Sequence, residues 1–358
     1  MEGTDGSTRD RVGRYRWLHA LLLAATLVLL VVFARHVDWS STKQALRQAD
    51  PGVIAAAIVI DLASLVVRGM RWGLLLRAVG ARGTIAAVRD TIVGAALNNV
   101  LVANGGDAAR VAITTRRARV SSADVIAALV VERFNDIAMF AALFGALALG
   151  VALPGRFARW KLAAVVALAV TVVLCGLLVS RRTRHRAVHA RENAPHLEAG
   201  KGGGRGVSRV LGAIARYTRQ LASATATVAS GRRLAIALAL SLVVWGGQWA
   251  TFHVAAHAAA LSISWPVSLL ALIVVNASFL VRLTPGNVGI FQLLYVLAAT
   301  AAGLDRNRAL AAGLLIQLVQ YIPVTFIGLL LTPAFVRSTW RRERQADAPS
   351  NRAGTPLR

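Results

Sequence analysis

Six apolar runs, each long enough to cross a lipid bilayer, punctuate the sequence, and they constrain the fold more than any other feature. They are Leu18 to Ala34, Gly52 to Leu76, Ser122 to Val151, Leu162 to Val179, Leu234 to Leu261 and Ala309 to Val336. At 1.5 Å of rise per residue, each can traverse a hydrocarbon layer of about 30 Å as a helix. The first run follows Arg11, Arg14 and Arg16 and exceeds the ~7 to 15 residues of a signal core, so it reads as an uncleaved span. Composition agrees: of 358 residues, 56% are hydrophobic and only 16% charged, a balance that disfavours a soluble globular enzyme. The formal charge of +25 invites a nucleic-acid reading, but that needs a basic face with stacking aromatics, and aromatics are only 6%. No nucleic-acid partner is therefore expected. Cys175 stands alone, which rules out an internal disulfide.

Two further apolar segments are interrupted in their middles. Ile85 to Ile113 is broken at LNNVLVANGGDAARV, and Trp265 to Leu304 at SFLVRLTPGNVGIF. Such breaks leave backbone N–H and C=O groups that lipid cannot satisfy, so the irregular backbone must be buried in protein or line a wet cavity. Two half-helices forming a re-entrant hairpin meet that condition. The expected fold is thus all-α: a polytopic bundle of about six full spans plus two broken-helix hairpins, or seven to eight spans if the second segment crosses. With a cytoplasmic N-terminus, most of the dense basic segments fall inside: Arg77, Arg82, Arg116, Arg117 and Arg119, then Arg181 to Arg233, and the tail with Arg341, Arg342 and Arg344.

A unit of span, broken segment and span occurs twice, from Gly52 to Val151 and from Leu234 to Val336, entering the membrane from opposite sides. That pattern is an inverted repeat, as in alternating-access transporters. The expected organisation is a cytoplasmic head over 1–16, a first membrane half over 17–180, a basic linker over 181–232, a second half over 233–336 and a disordered tail over 337–358. The linker contains KGGGRG, and Val207 to Gly231 has the spacing of either a basic amphipathic helix on anionic lipid or a solvated loop helix.

Ionisable side chains at membrane depth persist only when paired, snorkelling or useful. Asp61 and Arg68 lie two turns apart on one face of the second span, followed by Arg71 and Trp72. Glu132 and Asp136 share a face of the third long run, beside Arg133, with Glu132 about 15 Å from the run's start. These charges must face the bundle interior, either as ion pairs with Arg68 or Arg71 or as part of a polar path. The first break offers Asn98, Asn99, Asn104, Gly105, Gly106, Asp107 and Arg110, with Asp107 expected to cap the second half-helix. The second break offers Arg282, Thr284, Pro285, Gly286, Asn287, Gly289 and Gln292. Arg282 at that depth calls for an anion or carboxylate. His253 and His257 have a metal-compatible spacing but no third ligand, and no nucleophile elbow or Walker loop is present. Neither a metal nor another cofactor is expected.

Four patches in order carry a family resemblance: RGMRWGLLLRAVG around Arg71, NNVLVANGGDAAR from Asn98, ERFND from Glu132, and LTPGNVGIFQ ending at Gln292. Together they resemble the lysylphosphatidylglycerol synthase transmembrane-region, or flippase-like, family. The resemblance covers the chain from the second span to the last. It implies a multi-pass protein of the bacterial cytoplasmic membrane, with both termini inside, that moves a lipid or polyprenyl-linked lipid between leaflets. It also implies no enzyme activity, because the chain ends at Arg358 where the synthases continue into an aminoacyltransferase domain. The partners implied are membrane lipids, with a cell-envelope biosynthetic enzyme as a further one. The pattern departs from the family's at Val102, Asn104, Asn287 and Gln292, where a proline, a basic residue, a glycine and an acidic residue are usual. Loss of the acid at Gln292 counts against a cationic headgroup, and Arg282 favours an anionic one. The expectation is that Arg68, Arg71, Arg110 and Arg282 meet lipid phosphate, with Asn99 and Arg133 on the path, while Glu132 and Asp136 hold the arginines. The alternative is a non-catalytic membrane partner of a glycosyltransferase or lipid-modifying enzyme.

Overall fold

A computed structural model describes residues 47–101, 105–150, 227–228, 231–277 and 287–346, with isolated positions in 40–44 and 162–170, and side chains of the last helix through Leu331. The expected first span, most of the span Leu162 to Val179, most of the linker and residues 347–358 fall outside these, as do Asn104, Arg282, Thr284, Pro285 and Gly286.

Eight helices and no strand occur among the described residues: α1 (Pro51–Leu76), α2 (Thr84–Val100), α3 (Gly105–Ala118), α4 (Ser122–Gly150), α5 (Gly231–Ala258), α6 (Trp265–Ala277), α7 (Ile290–Ala301) and α8 (Arg306–Ala346). The protein is an all-helical membrane bundle. Three of its described helices, α1, α5 and the part of α8 to Leu331, are long and apolar enough to cross a bilayer. α4 is as long, at 29 residues or about 43 Å, but carries Glu132, Arg133 and Asp136 within its length.

Local chemistry sets the helix ends. Asp50 caps α1, its carboxylate accepting from the Gly52 and Val53 amides at 2.7 and 3.4 Å, and Pro51 occupies the first turn, where its missing N–H costs nothing. The 3-10 turn Arg77–Val79 ends at Gly80, whose φ of 86° stops the helix. α8 runs to Ala346, and the Arg, Glu, Gln and Ala of RRERQA at its end are strong helix formers.

Both broken segments fold back on themselves. α2 packs against α3, and α6 against α7. α6 and α7 have 13 and 12 residues, about 20 and 18 Å, too short for either to cross alone. The packing is also reciprocal between halves. α1 lies along α5, its counterpart in the second half, while α8 packs on α2 as α4 packs on α6. α1 and α5 approach closely enough that a Cβ at Gly247 would overlap the Ser64 Oγ.

The burial pattern suits lipid outside and polar groups inside. Ile85, Ile137, Leu149, Leu242, Ile322, Phe326 and Leu330 are exposed, whereas Arg71, Arg110 and Glu132 are buried. One apolar core joins α5 to α8 around Phe252, Leu272, Phe291, Tyr295 and Ile316. A second packs Trp72, Leu75 and Leu76 of α1 against Val125, Ala128 and Val131 of α4 and Leu234 of α5.

Candidate functional site

The site begins with a fully buried carboxylate. Glu132 of α4 receives Arg71 of α1 at 3.1 Å and Arg110 of α3 through both guanidinium nitrogens, with the Arg68 Nε at 3.7 Å. Three helices are thereby pinned to one residue. Asp136, one turn along α4, accepts Arg71 at 2.8 Å and lies 4.0 Å from Arg68. Arg71 also donates to the Ser241 Oγ of α5 at 2.6 Å, and Arg110 lies over the Trp72 ring, 4.3 Å from its centroid. Burying ions in a low-dielectric interior is tolerated only with this density of partners.

The first break hangs from the same cluster. The Asn98 Oδ1 at the end of α2 accepts from the Gly106 amide at 2.9 Å, and its Nδ2 donates to Asp107 at 3.3 Å. Asn98, rather than Asp107, thus supplies the cap. The physical reason is that α3 starts at Gly105, placing Asp107 inside its first turn, where the carboxylate reaches out to Arg133 at 2.6 Å. Gly106 is needed here because a Cβ would collide with the Gly94 carbonyl of α2.

Among the described residues of the second hairpin the contacts are neutral. Asn287, where the family pattern has glycine, sits at φ 56°, in the left-handed region that asparagine tolerates best after glycine. Gly289 follows at φ 85° and caps α7; its amide donates to the Gln292 Oε1 at 2.8 Å, and the Gln292 Nε2 donates to Gln317 of α8. A buried amide that must both accept and donate accounts for glutamine here instead of an acid.

Between the halves lies a cavity of about 640 Å³. Of the residues expected at the site, Arg68, Asn98, Asn99, Asp107, Arg110, Arg133 and Asp136 line it. Arg71 and Glu132 do not; both are fully buried behind the wall. Gly105, Gly106, Asn287, Gly289 and Gln292 shape the breaks without forming the lining. The sequence analysis missed the opposite wall, made by Trp245, Gln248 and Phe252 of α5, Asn276 of α6, Phe291 of α7, and Gln320 and Tyr321 of α8. Its signal was the presence of side-chain amides inside apolar runs, at Gln248, Asn276 and Gln320. Also missed was Asp90, buried between Thr114 at 3.1 Å and Arg117 at 2.9 Å, which ties α2 to α3 outside the cavity. His253 stacks on Trp265 with centroids 3.7 Å apart and its Nδ1 is 3.2 Å from the Ser268 Oγ, a packing arrangement within the second half.

An all-helical membrane bundle with paired broken hairpins around a charged interior chamber defines a class of polytopic membrane protein. This chain belongs to the lysylphosphatidylglycerol synthase TM region family, whose profile matches residues 17–328. It is similar to glycosyltransferase AglD of Haloferax volcanii, 27% identical over 353 residues that cover 90% of this chain and 55% of that protein. It thus spans about half the length of that relative. It is also similar to a UPF0104 membrane protein of Methanothermobacter thermautotrophicus, 23% identical over 335 residues covering 88% of this chain and 95% of the other.

Proposed function

We propose that this chain moves lipids bearing an anionic headgroup across the bacterial cytoplasmic membrane, with both termini inside, and performs no covalent chemistry on them. The observation that carries this reading is the chamber's asymmetry. Arg68, Arg110 and Arg133, with the carboxylates of Asp61, Asp107 and Asp136, line the wall from the first half, and aromatic side chains and neutral amides line the wall from the second. A phosphate takes charge-assisted hydrogen bonds from guanidiniums, while the rest of a headgroup is accommodated by apolar surface and amides. Arg68 and Arg133, 26% and 41% exposed, are the side chains best presented to a ligand. Arg71, Glu132 and Asp136 hold the others in place. Arg282 is proposed as a further phosphate contact. The test is leaflet-resolved transport of acyl-labelled phosphatidylglycerol in proteoliposomes. Wild type should exceed empty vesicles several-fold, and Arg282→Ala or Glu132→Gln should remove most of that excess. No excess for wild type would sink the reading, and normal transport by both variants would sink the site.

A second reading is favoured by one observation, the alignment to part of a protein named glycosyltransferase. In it the chain is the non-catalytic membrane partner of a cell-envelope biosynthetic enzyme. Co-purification of such an enzyme with the wild-type chain, without lipid movement by the purified chain, would support that reading over transport.

A further inference from the structure

Asp61 differs from every other buried carboxylate among the described residues. Glu132, Asp136, Asp107 and Asp90 each have an arginine within 3.1 Å. Asp61, buried in mid-α1 and lining the cavity, has no cation within 4.0 Å among the described residues. Its contact across the bundle is with a neutral amide, the Gln320 Nε2 of α8 at 3.4 Å.

The charges lining the cavity give this carboxylate a consequence. Among the described residues, three guanidiniums (Arg68, Arg110, Arg133) face three carboxylates (Asp107, Asp136, Asp61). Behind the wall, Arg71 and Glu132 cancel. With Asp61 ionised this described lining is neutral, and a proton on Asp61 raises its charge by one. A phosphodiester carries one negative charge.

We propose that Asp61 is a proton-binding site whose occupancy switches the chamber between accepting and rejecting an anionic headgroup. One O–H bond forms at the carboxylate on uptake and breaks on release, and no other bond changes. A proton and a phosphate monoanion therefore enter together as a neutral pair, which lowers the electrostatic barrier to passage through the membrane. This rests on the reading of the chamber as a lipid path. Titratable and charged groups on the elements packed against α1 do not supply a rival switch. From α2, Asn98 and Asn99 line the chamber and are neutral, while Asp90 is turned to Thr114 and Arg117 of α3. From α4, Arg133 and Asp136 are paired with each other and with Asp107 and Arg71, and Glu132 is closed by arginines. From α8 come Gln320 and Tyr321. From α5 comes Gln248, with His253 and His257 directed to Ser268 and the Ile263 carbonyl. Arg68, two turns along α1, stays cationic throughout.

Two readouts on the full chain test the proposal. In the first, dicyclohexylcarbodiimide, which modifies protonated carboxyls in apolar surroundings, is applied from about pH 5 to about pH 9 and adducts are mapped by mass spectrometry. Labelling at Asp61 should fall about tenfold or more across that range. No labelling at any pH, or equal labelling at both ends, overturns the proposal. In the second, binding of acyl-labelled phosphatidylglycerol is measured over the same range, in which its phosphodiester does not titrate. Wild type should bind about tenfold more tightly at the acidic end, while Asp61→Asn, which keeps the hydrogen bond but cannot ionise, should bind equally at both. An Asp61→Asn protein with the pH dependence of wild type overturns the proposal, as does a wild type whose binding follows sodium concentration instead of pH. If phosphatidylglycerol fails to bind at every pH while Asp61 shows the expected labelling profile, the lipid reading falls and the proton site stands.

Discussion

The two broken hairpins each pack one helix against the next, but the contacts among their described residues differ in chemistry. The first is held by ions: Glu132 gathers Arg71 and Arg110, and Asp107 binds Arg133. The second is held by amides: Gln292 links the Gly289 amide to Gln317, and Asn287 makes the turn. Carboxylates hold the guanidiniums in place at the first hairpin, while neutral hydrogen bonds join the described residues of the second.

That contrast can be broken at several points. The largest effect is expected at Glu132→Ala, which removes the buried carboxylate shared by Arg68, Arg71 and Arg110. Removing one partner of a buried ion cluster costs about 3 to 5 kcal/mol, so the purified variant should unfold at a markedly lower temperature, with a substantial loss of yield. An unchanged melting temperature would mean the cluster does not hold the bundle. Next is Gly106→Val, whose Cβ collides with the Gly94 carbonyl. Overpacking of this kind costs about 1 to 3 kcal/mol, and cysteine crosslinking between α2 and α3 should show the hairpin displaced. At the second hairpin, Gln292→Leu leaves the Gly289 amide and Gln317 without their partner, worth about 1 to 3 kcal/mol. Leucine at both 292 and 317 should recover part of that loss; additive losses in the thermal melts would count against the amide pairing. The smallest stability change is expected at Arg133→Gln. This side chain is 41% exposed, and its pair with Asp107 is worth about 1 kcal/mol or less. Its lipid transport should nevertheless drop several-fold, and equal losses of stability and transport would deny it a ligand role.

Much of the architecture was legible because lipid leaves the backbone few options. Glycine, asparagine and proline inside apolar runs had to mark breaks, and α2 with α3 and α6 with α7 lie where those breaks fall. The ionic cluster was legible for the same reason: Glu132 and Asp136 at i, i+4 within an apolar run required cations, and Arg68 and Arg71 were in register on α1. What could not be read was which atoms meet. Asp107 was expected to cap the second half-helix, yet Asn98 fills that role from the other half-helix, a contact fixed only by the hairpin's geometry. Arg71 and Arg68 looked equivalent in sequence, yet one is sealed behind the wall and the other lines the chamber. The amide wall was illegible because Gln248, Asn276 and Gln320 lie on three different helices, and only the packing of α5, α6 and α8 brings them to one cavity.

The most direct test of the account is the rate at which acyl-labelled phosphatidylglycerol in the inner leaflet of proteoliposomes becomes accessible to an external quencher. Wild type is compared with an Arg68→Gln, Arg133→Gln double variant of matched thermal stability. The account expects wild type to exceed protein-free vesicles several-fold and the double variant to fall to within about twofold of them. A double variant as fast as wild type, or a wild type no faster than empty vesicles, would contradict it.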